Sequence, residues 1–313
     1  VSPDYRVYRL DAGIHPRFAH HLLRSQPYRD QYKLYTRADT TFDRRVSKVD
    51  FHSMPLIVPP ITEQRRIANF LDTEISRIDA LLTARTRQLD ILEQRRSIFE
   101  RTAIAGGFSA TAIDSGVPWI GKVDQQVTLV PLQRIVTLQR GVDLTEEQRR
   151  PGAVPVVTTA GVSGFHSHSI APGPGVVVGR YGSAGSVHWV ERDFWPHNTT
   201  LYVKNFNGNL PKYCFYVLRN LPYEMEQARS AIPGINRNDI HKRIMPLAPL
   251  KDQEHIASCI DSYTARTDAA TAAINEGIAL LTERRQALIT AAVTGQIDVT
   301  TARGVSESEG VAV

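Results

Sequence analysis

Residues Pro60–Gly106 align without a gap on Pro249–Gly295, at an offset of 189 residues. Shared positions include Gln64/Gln253, Ile67/Ile256, Ala68/Ala257, Asp72/Asp261, Arg77/Arg266, Asp79/Asp268, Leu92/Leu281, Arg95/Arg284, Arg96/Arg285 and Gly106/Gly295. Upstream, Pro16, Leu23, Arg24, Pro27 and Tyr28 match Pro211, Leu218, Arg219, Pro222 and Tyr223 at an offset of 195. The change of offset leaves about six extra residues between Tyr28 and Asp50 in the first copy, a loop-sized difference. A period near 190 residues describes duplicated domains and excludes a solenoid of short repeats. Val1 falls where the second copy is at about Pro196, so the first module has no counterpart of Ser115–Trp195. The expectation is a chain that begins in mid-domain, either cut from a longer parent or completed by a partner chain.

The segment Thr62–Ile104 contains neither Gly nor Pro and is rich in Leu, Ile, Arg, Gln and Glu, which suits helix. Leu71, Ile75, Ile78, Leu82, Arg85, Leu89, Leu92, Arg96, Phe99 and Ala103 follow each other at spacings of four and three, a heptad seam. The second copy places Ile260, Thr264, Thr267, Thr271, Ile274, Ile278, Leu281, Arg285, Leu288 and Ala292 on the same seam. Its threonines make a poor coiled coil alone, so the apolar first helix is its natural antiparallel partner. Arg85, Arg96 and Arg285 sit at seam positions. We expect them to snorkel out of the seam; the other reading is that they pair with carboxylates and fix register. Gly106 and Gly295 are expected to stop the two helices.

Between the helices the pattern changes. Val154–Val157, Val176–Val178 and Thr200–Lys204 read as short strands broken by Gly and Pro, and Pro211–Asn220 reads as a helix. The fold class is α+β: strand-rich modules joined by two long antiparallel coiled-coil helices. The expected boundaries are 1–60 for the end of a first module, 61–107 for the first helix, 108–250 for a complete second module, 251–300 for the second helix and 301–313 for a flexible tail, frayed from Gly304 to Val313. A fragment such as 1–60 exposes core surface when alone, so it should be covered or poorly ordered.

Charge follows this division. Residues 1–60 hold 10 Lys/Arg against 6 Asp/Glu and 108–250 hold 14 against 10, whereas 61–107 hold 8 against 7 and 251–313 hold 5 against 9. Positive modules on neutral or acidic helices suit a nucleic-acid reader with a protein-binding scaffold, although +4 is also ordinary scatter for a domain. Two cysteines, Cys214 and Cys259, form neither a disulfide framework nor a zinc pattern. No apolar run of 18 residues and no secretory signal is present, and a cytoplasmic protein is expected.

Three loops suit a ligand: Gly179–Ser186, which includes Arg180, Tyr181 and Ser183; His197–Thr200, which includes Asn198; and Pro233–Asp239, which includes Asn236 and Arg237, with Lys242 and Arg243 just beyond. Glycines let backbone N–H groups approach phosphate, and Arg and Asn make bidentate contacts to guanine and adenine edges. Each loop also reads as an ordinary turn: Asn198 would tie one, and Asn236–Asn238 would cap the backbone before Ile240. His166, His168, His188 and His197 lack metal-ligand spacing, and no P-loop, dinucleotide fingerprint or nucleophile elbow occurs.

Four motifs together resemble one family: Gly116-Val117-Pro118-Trp119-Ile120-Gly121 opening a module, Trp195-Pro196-His197-Asn198-Thr199 within it, Pro233-Gly234-Ile235-Asn236-Arg237-Asn238-Asp239 near its end, and Pro59-Pro60-Ile61-Thr62-Glu63-Gln64 leading into the long helix. The last recurs more weakly as Ala248-Pro249-Leu250-Lys251-Asp252-Gln253. The chain resembles the DNA specificity subunit of Type I restriction-modification enzymes. That resemblance implies two target-recognition domains, each reading half of a bipartite double-stranded DNA site, held apart by two helices that act as a ruler. It implies no catalysis and no cofactor in this chain. S-adenosylmethionine would belong to adenine methyltransferase subunits, and ATP with Mg to restriction subunits. It places the DNA-facing residues first at Arg180, Tyr181, Asn236 and Arg237, then at Arg140, Ser183, Asn198 and Lys242. The absent front of the first module departs from the family and leaves pairing of two chains open. Two rival classes stand beside it, a coiled-coil scaffold that binds no DNA and an enzyme acting through His166, His168 and His188, and the truncation also allows an inactive remnant of a specificity subunit.

Overall fold

The computed structural model describes residues 8–38, 44–223 and 234–301. The expected tail Gly304–Val313 and the motif residue Pro233 lie outside them. The chain divides into two compact units, one made of Val1–Asp90 with Ala270–Val313 and the other of Ile91–Ala269. Two 44-residue helices, Ile61–Ile104 and Leu250–Val293, contribute to both. Gly106 and Gly295 follow them at φ +64° and +73°, the left-handed conformation that ends a helix without a Cβ clash. Among the described residues no helix is long and apolar enough to cross a membrane.

In the first unit, helices Pro16–Arg24 and Gln26–Tyr35 each carry Pro in the first turn, where its missing N–H costs nothing. Strands Thr36–Ala38 and Arg44–Val46 pair antiparallel. A six-residue helix, Lys48–Ser53, follows, its first turn capped by the Ser47 hydroxyl accepting from Asp50 N–H at 3.0 Å. Phe18, Leu22 and Tyr28 pack with Ile67, Ala68, Leu71 and Ile75 of one long helix and Ile289, Ala292 and Val293 of the other. Across this antiparallel contact Arg285 Nε lies 3.0 Å from Asp79 Oδ1.

The second unit is the strand-rich one. Its four-stranded antiparallel sheet has the order Val187–Val190, Gly175–Gly179, Thr200–Asn205, Thr137–Arg140. A three-stranded sheet places Val154–Thr158 between Gly161–His166 and the short parallel strand Trp195–Pro196. Val157 of the smaller sheet meets Val177 and Tyr202 of the larger in a core that also takes in Ala171 and Phe194. All five residues of Gly175–Gly179 are buried, as expected of a continuous apolar run at a sheet centre. Helix Pro211–Arg219 covers the other face and is buried from Tyr213 to Leu218, so it is a core helix with almost no polar stripe. Strand Ile244–Leu247 pairs with Thr128–Pro131.

The long helices meet in this unit as well. Phe99 stacks on Tyr263 at 4.0 Å between ring centres, and Arg96 Nη1 reaches Asp268 Oδ1 at 2.8 Å. Arg96 and Arg285 are repeat equivalents, as are Asp268 and Asp79, so one ion pair is made twice. The expectation that these seam arginines snorkel is therefore corrected for both: each pairs across the helices. Arg96 is further held by Glu100, a carboxylate 2% exposed that also takes Arg219 at 3.4 Å and the Asn220 amide at 3.2 Å. Leaving such a buried carboxylate unpaired would be costly. Arg85 alone stays at the surface, with Gln88.

A second repeated device joins each module to its helix. Gln64 accepts from His15 N–H at 2.8 Å and donates to the carbonyls of Gly13 and Pro59. Gln253 accepts from Leu210 N–H at 2.8 Å and donates to Asn209 Oδ1 and the Ala248 carbonyl. Both amides are buried with donor and acceptor satisfied, which is why this glutamine recurs among residues that otherwise differ.

Candidate nucleic-acid interface

In the larger sheet of the second unit, antiparallel pairing brings three strand ends to one edge. Arg140 stands opposite Leu201, and Thr200 opposite Gly179. The loops leaving these ends are stitched to each other by hydrogen bonds. Arg180 N–H and the Thr159 hydroxyl both donate to the Thr199 carbonyl, each at 2.9 Å. The Thr159 carbonyl accepts from the Ser186 hydroxyl at 2.7 Å and lies 2.9 Å from His188 Nε2. Gly141 N–H donates to the Thr200 carbonyl, and Val142 N–H to that of Pro196. A Cβ at Gly141 would collide with the carbonyl oxygens of Pro196 and His197, so only glycine lets these two loops touch.

Of the expected residues, Arg180 and Tyr181 sit at the centre of this rim. Ile235 N–H donates to the Arg180 carbonyl at 3.0 Å, and Tyr181 bridges Gly234, so the loop that carries Asn236 and Arg237 is fixed beside them. The Arg180 guanidinium lies 4.5 Å from the centre of the Tyr181 ring, a cation–π contact that stiffens a long side chain. Its Nε donates to the Ile235 carbonyl at 3.4 Å, and its Nη1 is buried with no hydrogen-bond partner among the described residues. Ser183 is exposed at the loop tip, next to Gly182 at φ +72°. Arg140 is exposed at the end of its strand.

Three expected residues differ in standing. Asn236 caps helix Arg237–His241, accepting from Asn238 N–H at 2.9 Å, yet stays exposed. Asn198 spends its amide on Asp143 Oδ1 at 2.7 Å. Lys242 is exposed beyond the far end of the short helix, where Arg243 carbonyl accepts from Leu132 N–H, and shares none of the bonds that tie the rim. Among the described residues no three His, Cys, Asp or Glu side chains group as a cation site requires.

Arg149 was missed by the sequence reading. It donates to the Ser163 carbonyl at 3.1 Å and its charge reaches His197. Burial holds His197 below the usual histidine range, with the Asp143 carboxylate opposing and Arg149 adding to the effect. The signal for Arg149 was the Arg149-Arg150 pair ahead of Pro151-Gly152, a basic pair at a turn. The rim thus gathers Arg140, Arg149 and Arg180 with hydroxyl, amide and phenol donors, and Asp143 as its opposing charge.

Residues 128–280 match the family model described as Type I restriction modification DNA specificity domain. This chain carries a Type I DNA specificity domain. The four- and three-stranded sheets, the rim and the second long helix up to residue 280 all fall within it. One chain of a type I R-M system, from a study of complex assembly and conformational transition, superposes with a TM-score of 0.73 at 19% identity, covering 90% of this chain and 72% of that one. The HsdS subunit from Thermoanaerobacter tengcongensis matches with a TM-score of 0.50 at 20% identity, covering 91% of this chain and 71% of that one. At these identities the likeness speaks for the fold of the specificity domain and its helices. No curated protein matches the sequence.

Proposed function

We propose that this chain is the DNA specificity subunit of a Type I restriction-modification complex, directing adenine methylation and restriction to a bipartite site. The observation that carries the reading is the family match over residues 128–280. The rim at one sheet edge supplies its geometry. Arg180, Tyr181, Asn236 and Arg237, with Arg140 and Ser183, face double-stranded DNA, where Arg and Asn read base edges and hydroxyls and main chain hold phosphates. Lys242 contributes charge from the side, and Asn198 acts by fixing its loop. In this reading 1–60 is the end of a first recognition domain, 61–107 and 251–300 are spacer helices, and 108–250 is the second recognition domain. The chain does no chemistry itself. It positions adenine methyltransferase subunits that use S-adenosylmethionine, and ATP-dependent restriction subunits join them in the cytoplasm.

The test is a genome-wide map of methylated adenines in the source strain with the gene intact and deleted. The expected outcome is a split motif of fixed spacer that loses its methylation on deletion. Unchanged methylation at every motif, in cells that express the chain, would overturn the proposal.

A further inference from the structure

Asp143 puts a carboxylate among the arginines of the rim, and its place there is fixed. It follows strand Thr137–Arg140, and the backbone just before it is tied at both polar groups. Val142 N–H donates to the Pro196 carbonyl at 2.9 Å, and the Val142 carbonyl accepts from Trp195 Nε1 at 3.1 Å. On the other side Leu144 is buried. The side chain is held as well. Asn198 Nδ2 donates to Asp143 Oδ1 at 2.7 Å, and His197 Nε2 lies 3.5 Å from the same oxygen. An ionised carboxylate only accepts, so Asn198 must turn its N–H toward it, which sets the orientation of the pair.

This arrangement leaves one oxygen unused. Among the described residues Oδ2 has no hydrogen-bond partner and neither Lys nor Arg pairs with Asp143, whose side chain is 66% exposed. Burial holds His197 below the usual histidine range, so at neutral pH its ring is uncharged and does not cancel the carboxylate. Against DNA phosphates a bare negative charge is repulsive, and a neutral amide could hold the Asn198 loop without that cost. Opposite a base edge the charge has a use. In the major groove cytosine offers its N4 amino group, which Asp accepts, whereas guanine O6 and thymine O4 are acceptors that a carboxylate repels. Adenine carries an amino group too, but its N7 acceptor stands beside it, while cytosine presents only a C–H next to N4.

We propose that Asp143 is a specificity-determining residue, accepting a hydrogen bond from the N4 amino group of one cytosine in the DNA that this domain reads, with Asn198 as its positioning residue. The assignment rests on the DNA reading proposed above and adds to it the chemistry of one base. Discrimination here works by repulsion as much as by attraction, since the carboxylate meets an acceptor wherever cytosine is replaced by guanine or thymine.

The test replaces the gene in the source strain with Asp143→Ala and with Asp143→Asn and maps methylated adenines in each, beside the intact and deleted strains. The intact strain should show a G·C pair fixed at one position of the motif. With Asp143→Ala the preference at that position should fall about tenfold or more, while every other position keeps its base. Asp143→Asn keeps the size of the side chain and a partner for Asn198, and should move the preference at the same position toward adenine, the base whose N6 and N7 an amide matches. A motif identical to the wild-type one in both variants would overturn the assignment, as would relaxation at a position that is not G·C. Loss of methylation at every site in Asp143→Asn would also overturn it, because it would make Asp143 a support for the loop or the fold and not a reader of one base. Methylation that survives deletion of the gene would sink the DNA reading itself, an outcome seen before any substitution is compared.

Discussion

His241 shows how a single ring serves the second unit. Its Nε2 accepts from Leu138 N–H at 3.1 Å, so that nitrogen must be unprotonated and Nδ1 carries the proton. Burial, then the charge of Arg237, holds His241 below the usual histidine range. An unfolded histidine titrates near about 6.5, so below that pH the unfolded chain binds more protons than the folded one. The stability this residue contributes is full above about pH 6.5 and is lost as pH falls from there toward the lowered folded value. Urea midpoints taken between neutral pH and pH 5 should therefore fall, and less steeply in His241→Gln, whose amide oxygen still accepts from Leu138. An unchanged slope in that variant would assign the effect to other groups. At this scale the sequence was least legible. Asn236 was open to both readings, cap and DNA contact, and the structure shows the cap. Arg149 was passed over because its partner, the Ser163 carbonyl, is a main-chain atom that no pattern announces.

At the scale of elements the long helices were the most legible part, since composition and heptad spacing are local properties of the chain. What periodicity does not carry is the identity of the residue across the seam, and so Arg96 and Arg285 were expected to snorkel. The equivalent pairs Arg96–Asp268 and Arg285–Asp79 differ in depth: the Arg96 side chain is 15% exposed and that of Arg285 is 38% exposed. Arg96→Ala also strips a partner from the buried Glu100. We expect it to cost about 2 to 4 kcal/mol, against about 0.5 to 1 kcal/mol for Arg285→Ala, read from denaturant midpoints. Equal costs would show that Glu100 is satisfied by Arg219 and Asn220 alone. The rim, by contrast, was legible only as separate loops. Their meeting depends on Thr137–Arg140 pairing with Thr200–Asn205 and on Arg180 reaching Ile235, contacts 55 to 68 residues apart in sequence that local propensity does not encode.

For the molecule as a whole, a net charge of +5 concentrated in the two strand-bearing segments would make the proposed DNA affinity a matter of counterion release as well as of contacts. Lys242 and Arg180 should separate these two contributions. Lys242→Ala should weaken all duplexes alike and reduce the slope of log K against log salt by about 1, whereas Arg180→Ala should cost about 1 to 3 kcal/mol at one base position. Titrations at several salt concentrations, with the cognate duplex and single-base variants, distinguish them. If both substitutions act uniformly, Arg180 holds phosphate. In the first unit Leu56, Ile57 and Val58 are each about half exposed, which bears on the behaviour of the chain in solution. Unpaired strands invite fibrils, and six or seven residues of flat β-structure are the usual seed. Pro55 and the Pro59-Pro60 pair leave three residues between them. A run of that length is too short to propagate aggregation.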